Sequence, residues 1–170
     1  FPYLPRIGIP RPYKGNKAES KGAGMTRRFG TPPEAGRSYT RRPGVYAILP
    51  RRGMLLLTRQ EAPAPELQLP GGGIDPGESP LTALHREVFE ETGWRIARPR
   101  RLGCFRRFTF MPEYDLWAEK ICTIYLATPV RPLAAPTEPD HMALWMAPED
   151  AARKLGNAGD RSFVARFAVQ

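Results

Sequence analysis

Long apolar runs are absent from this sequence of 170 residues. No stretch approaches the roughly 18 consecutive apolar residues that indicate a membrane-spanning helix. No segment combines a basic start, an apolar centre and a small-residue cleavage site, which is the pattern of a secretory signal peptide. We therefore expect no membrane partner and a cytoplasmic location. The length suffices for a single domain with a sizeable core.

Cysteine is also scarce, and its two copies, Cys104 and Cys122, both fall on predicted strands. A disulfide between them is one alternative. Two buried reduced thiols are the other, and we expect that state because disulfides are rare in cytosolic proteins.

Acidic residues number 17 against 26 basic ones, which gives a formal net charge of +9. Five of the acids lie between residues 75 and 91, so the remainder of the chain is even more basic. Two explanations stay open. The charge serves solubility or reflects a GC-rich genome that favours arginine, or it attracts a polyanion such as a nucleotide, an inositol polyphosphate or RNA.

Regular periodicity is missing from residues 1–42, which are rich in Pro, Gly, Lys and Arg. We predict an extended basic arm there and one folded domain over residues 43–170. The arm could lie along a partner subunit, so a homodimer is an open alternative. Nucleic-acid binding is less favoured, because the arm lacks the basic and aromatic alternation of a known module. Met25 is a candidate native start, with the preceding residues an upstream extension.

The rest of the chain alternates strand and helix signals. Strands are predicted at 42–50, 54–60, 66–70, 100–110, 116–127 and 143–147, and the turn at 51–53 makes the first two a hairpin. Helices are predicted from Pro80, from Pro148 to about Gly156, and from an Asp160 cap through Ala168. Mixed strands with helices on both sides indicate an α/β or α+β sandwich.

The region from residue 71 to residue 94 is a glycine-rich loop that leads into a short helix. Ser79 is a good N-cap, Pro80 suits the first helical position, and Gly93 fits a left-handed helix end. An apolar stripe on this helix can face a core, and the neighbouring face presents Glu87, Glu90 and Glu91 within an arc of about 100°.

Three carboxylates at this spacing repel one another by a few tenths of a kcal/mol per pair. An ordinary solvated acidic face is the simplest interpretation. A hard divalent cation is the functional one, since Mg²⁺ prefers oxygen ligands and Mn²⁺ can replace it. Arg86 can pair with one carboxylate and hold the cluster in shape.

A longer pattern surrounds these acids, and it resembles the Nudix box of the MutT-like Nudix hydrolases. Every fixed position of that box is filled, in the order Gly72, Glu78, Arg86, Glu87, Val88, Glu90, Glu91, Gly93 and Trp94. A weaker resemblance extends from about residue 42 to residue 167. It implies the Nudix fold, a mixed sheet packed between helices with the box helix along one edge.

The resemblance implies metal-dependent hydrolysis of a phosphoanhydride in a nucleoside diphosphate linked to another group, such as a nucleotide, a nucleotide sugar or a dinucleoside polyphosphate. Alternatives are a diphosphoinositol-polyphosphate or RNA 5′-end pyrophosphohydrolase, or a nucleotide sensor that does not cleave. The implied metal ligands are Glu87, Glu90, Glu91 and the carbonyl of Gly72.

Further roles follow from the same resemblance. Glu78 and Arg86 would either act in catalysis or pin the loop, and Glu138 or Asp140 would activate the attacking water. His141 is a weaker alternative for that base. Arg59, Arg106 and Arg107 are candidate phosphate ligands, and Tyr114 is a candidate stacking partner for a base.

Overall fold

The computed structural model describes residues 26–62 and 64–168. Residues 1–25 of the basic arm predicted over residues 1–42, with the candidate start at Met25, lie outside the described residues. No helix of the described part is both long enough and apolar enough to cross a membrane.

The described residues form eight strands and three α-helices. In chain order these are β1 (Thr40–Ile48), β2 (Pro50–Arg51), β3 (Met54–Gln60), β4 (Glu66–Gln68), β5 (Gly71–Gly73), α1 (Pro80–Thr92), β6 (Trp94–Met111), β7 (Leu116–Pro132), β8 (His141–Met146), α2 (Pro148–Lys154) and α3 (Ala158–Ala168). A short 3-10 helix, Pro112–Tyr114, joins β6 to β7.

Two sheets are built from these strands. The first has the order β5-β1-β7-β6, in which β1 runs parallel to β7 and antiparallel to β5. The second has the order β2-β3-β4, and β8 also pairs antiparallel with β3. Parallel and antiparallel pairs therefore occur together, as a mixed α+β fold requires.

The core lies on both sides of the sheets because the strands bury both faces. Tyr46 and Ile48 of β1 enter a cluster with residues of α2 and α3, while the alternate residues Val45 and Ala47 enter a second cluster with α1. Strand side chains alternate between faces, so a strand buried on both sides reads as a continuous apolar run. The result is the predicted sandwich, with α1 on one side and α2 and α3 on the other.

Two local predictions were wrong. The turn at 51–53 closes only the short pair of β2 with β3, since β1 itself belongs to the first sheet. Helix α3 begins at Ala158 rather than after Asp160. Asn157 caps it instead, accepting the backbone N–H of Asp160 at 2.8 Å, because an Asn side chain serves this position as well as an Asp does.

Residues 27–39 pack on the β6–β7 hairpin. Arg28 forms a parallel bridge with Arg106 of β6, and the ring of Phe29 meets the ring of Phe105 edge to face at 5.5 Å. Both cysteines are free thiols, and Cys122 is buried.

Candidate active site

Helix α1 starts and ends as its sequence predicts. The Ser79 side chain accepts the backbone N–H of Thr82 at 3.2 Å, and Gly93 ends the helix with a left-handed φ of 72°. A Cβ at Gly93 would overlap the carbonyl of Ala134, so glycine is needed there both for the backbone angle and for the close approach.

Arg86 is the centre of the box. Its Nε and Nη2 donate to the two carboxylate oxygens of Glu78 at 2.9 and 2.8 Å, which is a bidentate pair. Its Nη1 donates to Glu87 at 2.8 Å and to Glu90 at 3.1 Å. Its Nη2 also reaches the carbonyl of Gly73 at 3.1 Å. One guanidinium thus ties the glycine loop to two of the three helix acids.

Glu78 accepts hydrogen bonds from both sides of this arrangement. It accepts the backbone N–H of Asp75 at 3.1 Å in addition to the two bonds from Arg86. The hydrogen bonds from Arg86 lower the pKa of Glu78 to about 2, so Glu78 stays ionised over the physiological range.

Glu87 has the opposite electrostatic environment. Burial raises its pKa to about 7, against the pull of Arg86 and with the help of Glu91 and Glu90. The backbone of Gly72 lies directly against the Glu87 carboxylate, so that a Cβ on Gly72 would overlap it. A half-buried carboxylate whose pKa is raised by desolvation and by neighbouring carboxylates is stabilised in its charged form by a bound cation.

Glu91 is only 4 % exposed, and its carboxylate contacts residues of two strands, β5 and β8. Its Oε2 accepts the backbone N–H of Gly71 at 2.9 Å, and its Oε1 lies 3.1 Å from Nδ1 of His141. Thr58 Oγ1 is 3.2 Å from the same nitrogen. Burial raises the pKa of Glu91, while the hydrogen bond with Glu91 raises the pKa of His141.

The loop at residues 133–140, here called the return loop, is attached to the end of α1 by its backbone. The N–H groups of Thr137 and Glu138 donate to the Glu90 carbonyl at 2.8 and 3.1 Å, and that of Leu133 donates to the Gly93 carbonyl at 2.9 Å. These bonds satisfy helix carbonyls that have no partner within the helix.

A cleft of about 760 Å³ opens over the box. The predicted site residues that line it are Gly72, Glu87, Glu91, Arg107, Tyr114 and Glu138, together with His141, the weaker alternative for the base. The described residues that line the cleft do not include Glu90, Arg86 or Asp140. Arg59 is also outside and pairs with Glu61 at 2.9 Å, and Arg106 pairs with Glu119 at 3.6 Å.

The inner end of the cleft contains polar residues that sequence reasoning missed. These are Tyr46, Lys120, Asn157 and Asp160, which join Arg107 there. Burial raises the pKa of Asp160 to about 6 and lowers the pKa of Lys120. The Nε of Arg107 has no hydrogen-bond partner among the described residues. No local pattern marks these positions, because they converge from four separate elements.

The donor chemistry of the box suits a hard divalent cation. Three carboxylates and a glycine carbonyl offer oxygen ligands only, which is the set that Mg²⁺ and Mn²⁺ take. Among the described residues, no three metal-ligating side chains converge on one point. Glu87 and Glu90 share the Nη1 of Arg86 instead.

Comparisons with known proteins agree with this geometry. Residues 39–167 match the family model of the NUDIX domain. A MutT NUDIX hydrolase from Burkholderia pseudomallei superposes with a TM-score of 0.61 and 28% identity, over 74% of this chain and 97% of that one. A MutT protein from Bacillus halodurans has a TM-score of 0.62 at 22% identity, over 76% and 83% of the two chains, and shows the same fold.

Curated relatives match over shorter stretches. A Bacillus subtilis protein named "Putative 8-oxo-dGTP diphosphatase" is 37% identical over 79 residues, which are 46% of this chain and 52% of that protein. An RNA pyrophosphohydrolase from Cereibacter sphaeroides is 40% identical over 60 residues, 30% of this chain and 37% of the relative. The chain thus spans about half or less of the length of these relatives. Because the domain match includes the whole box, both sheets and all of the cleft, the chain belongs to the Nudix family.

Proposed function

We propose that this chain is a metal-dependent pyrophosphohydrolase that cleaves a phosphoanhydride bond in a nucleoside diphosphate derivative. The observation that carries the proposal is a pair of carboxylates, the half-buried Glu87 and the buried Glu91, which line a cleft beside the glycine loop. The cleft volume falls in the range of about 300 to 1,000 Å³ that small-molecule sites occupy. A cytoplasmic location remains a prediction.

Glu87, Glu90, Glu91 and the Gly72 carbonyl would hold Mg²⁺ or Mn²⁺. Such an ion, when bound, neutralises phosphate oxygens and lowers the pKa of a coordinated water. Arg86 and Glu78 serve as positioning residues, since their bidentate pair fixes the glycine loop on α1. The Glu91 carboxylate keeps its orientation through Gly71 and His141.

Glu138 is the general base that the geometry favours. It lines the cleft, and its backbone is fixed to Glu90 of α1. Asp140 does not line the cleft, and His141 is occupied by Glu91. In the reaction a water oxygen forms a bond to phosphorus, Glu138 takes the water proton, and the bridging P–O bond breaks. The leaving phosphate takes the electron pair of that bond.

Arg107 and Tyr114 are the substrate-binding residues we propose, since both line the cleft. Arg107 brings a cation whose Nε is without a partner in the described part of the chain. Tyr114 is 39% exposed at the rim, where its ring can stack on a base.

An RNA 5′ end is a second candidate substrate. Two observations favour it, namely the relatives named RNA pyrophosphohydrolase and the net charge of +9. Binding to RNA would then weaken steeply as salt rises, because neutralised phosphates release their counterions.

A substrate panel tests the proposal. The full chain is incubated with Mg²⁺ and nucleoside triphosphates, NADH, ADP-ribose, dinucleoside polyphosphates or 5′-triphosphorylated RNA, and released phosphate and pyrophosphate are measured. Turnover of at least one compound, lost on chelation of the metal, is expected. If the folded protein turns over none of them, the hydrolase assignment is wrong and the sensor alternative gains.

A further inference from the structure

A second cavity, of about 320 Å³, lies between the second sheet and the start of β6. It is lined by Arg51, Arg52, Met54, Trp94 and Trp145, and none of these residues lines the cleft. On β8, Trp145 is four residues from His141 of the cleft, which is about 13 Å along a strand. The volume is at the lower end of the range for small-molecule sites, about 300 to 1,000 Å³. We call this space the tryptophan cavity.

Three contacts fix the walls of the tryptophan cavity. The rings of Trp94 and Trp145 meet edge to face, with their centres 5.3 Å apart. The guanidinium of Arg51 lies 5.0 Å from the ring centre of Trp94, and its Nη1 donates to the Val130 carbonyl at 2.9 Å. Edge-to-face and cation–π contacts are both favourable. A ligand therefore enters a site whose walls are already ordered, which lowers the cost of binding.

Two exposed side chains form the mouth of the tryptophan cavity. Met54 is 36% exposed. Arg52 is also exposed, and within residues 26–62 and 64–168 it forms neither an ion pair nor a side-chain hydrogen bond. It lies with Gly53 in the two-residue turn between β2 and β3, where both residues have a positive φ. The turn thus holds a guanidinium at the mouth with its donors available to a ligand.

The surroundings of the cavity carry charge of one sign. Residues 48–54, 94–104 and 123–133 meet here, and they contain two, four and one arginines, with no Asp, Glu or Lys. Arg95 and Arg131 are exposed and lie directly opposite each other on β6 and β7, a pairing of like charges that is unfavourable. A region of uncompensated positive charge attracts anions.

We propose that the tryptophan cavity is a binding site, separate from the cleft, for a small anion that carries an apolar ring. The indole rings and Met54 contact the ring, while Arg52 and the remaining donors of Arg51 bind the anionic group. A phosphate and a carboxylate share the required chemistry, because a guanidinium can pair with either in a bidentate manner. This inference is independent of the proposed hydrolase function, since no residue of the cleft takes part in it.

Other occupants fit the cavity less well. A second copy of this chain, in a symmetric contact, would bring the arginines at the mouth close to those of its partner, and like charges repel. Residues 1–25 contain five basic residues and one acidic residue, so their charge does not complement the site. Inorganic phosphate alone would leave the indole rings and Met54 in contact with water. A ring that carries an anionic group satisfies both the apolar walls and the arginines.

Tryptophan fluorescence reports binding at this site. The chain has three tryptophans, and Trp117 lies on β7 outside the cavity. The full chain with Trp117→Phe is titrated without metal with AMP, phenylacetate, adenosine and inorganic phosphate, and circular dichroism checks its fold. We expect AMP, phenylacetate or both to change the emission saturably, with a Kd at least about tenfold below those of adenosine and phosphate. If this variant does not fold, the wild type is titrated, with Trp117 as a constant background.

The two ring anions distinguish the sources of the ligand. Binding of AMP alone assigns the cavity to a nucleoside phosphate, binding of phenylacetate alone assigns it to an aromatic carboxylate, and binding of both supports the shared chemistry. Adenosine that binds as tightly as AMP would overturn the inference, because the anionic group would then be dispensable. Phosphate that binds as tightly as the ring anions would overturn it as well, and so would an emission that no compound changes.

A pair of charge reversals separates the cavity from the net charge. Arg52→Glu should raise the Kd of the ring anion at least about tenfold. Arg98→Glu is the matched control, since Arg98 is also exposed and also has a positive φ but does not line the cavity. It should raise the Kd less than about threefold. Equal increases would mean that only net charge attracts the ligand, and no increase in either variant would place the ligand elsewhere, such as in the cleft. Both results would overturn the inference without bearing on hydrolysis at the box.

Discussion

Replacing Glu91 by glutamine removes one negative charge from the box and keeps the shape of the side chain. Glu91 is 4 % exposed, so solvent screens its charge little. A carboxylate about 4 Å from a unit of positive charge gains about 4 kcal/mol at an effective dielectric constant of about 20. If Glu91→Gln loses this interaction in the transition state, kcat falls roughly a thousandfold, because each step of about 1.4 kcal/mol is a factor of ten in rate.

Part of any effect could come from folding rather than from charge. The amide NH2 of glutamine replaces one of the two carboxylate oxygens of Glu91. That oxygen accepts from Gly71 or from His141, so the new donor faces another donor. An unsatisfied buried donor costs about 1 to 3 kcal/mol, which lowers the Tm by several degrees without unfolding the chain at 25 °C.

The assay is kcat for the best substrate of the panel, with the Tm and the Mn²⁺ affinity of the same preparation from calorimetry. Glu149→Gln is the control, since it removes the same charge from an exposed position on α2. We expect a loss of about 10² to 10⁴ in kcat and weaker Mn²⁺ binding for Glu91→Gln only. A folded Glu91→Gln protein with near-normal kcat would refute the role of the cluster in catalysis.

Three further perturbations have defined outcomes. Gly72→Ala places a Cβ against the Glu87 carboxylate, so kcat should fall at least tenfold in a steady-state assay while circular dichroism stays native. Arg86→Lys loses the bidentate pair with Glu78, and urea unfolding should show a loss of about 1 to 3 kcal/mol. The folded pKa of Asp160, about 6, exceeds its ordinary value of 3.8, so the native state binds more protons and stability falls as pH rises through about 4 to 6. This fall in the free energy of unfolding is worth up to about 3 kcal/mol, and Asp160→Asn should remove it. The urea midpoints of the wild type and of Asp160→Asn are measured at pH 4 and at pH 7. An equal change between the two pH values in both proteins would contradict the prediction.

The box could be predicted because its signals are local. The Ser79 cap, the left-handed Gly93 and the bidentate partner of Arg86 all lie within one loop and one helix, where sequence spacing fixes geometry. The sandwich could also be predicted, since strand and helix periods alternate along the chain.

The other half of the site depends on contacts that sequence spacing does not encode. His141 reaches Glu91, with 49 residues of chain between them, because β8 pairs with β3. Arg106 and Arg107 are neighbours on one strand and point to opposite faces, so no local pattern tells which of them faces the cleft. The hairpin prediction failed for the same reason, since β1 finds its partners in β5 and β7.

The attachment of the return loop to α1 has a mechanical consequence. Backbone amides, rather than side chains, set the distance from Glu138 to the box helix. Side-chain changes in this segment other than at Glu138 should consequently have little effect on catalysis, whereas inserting or deleting one residue between 133 and 138 should displace Glu138, the base that we propose, from the cleft. Apart from Glu138, the length of this segment therefore matters more than its composition.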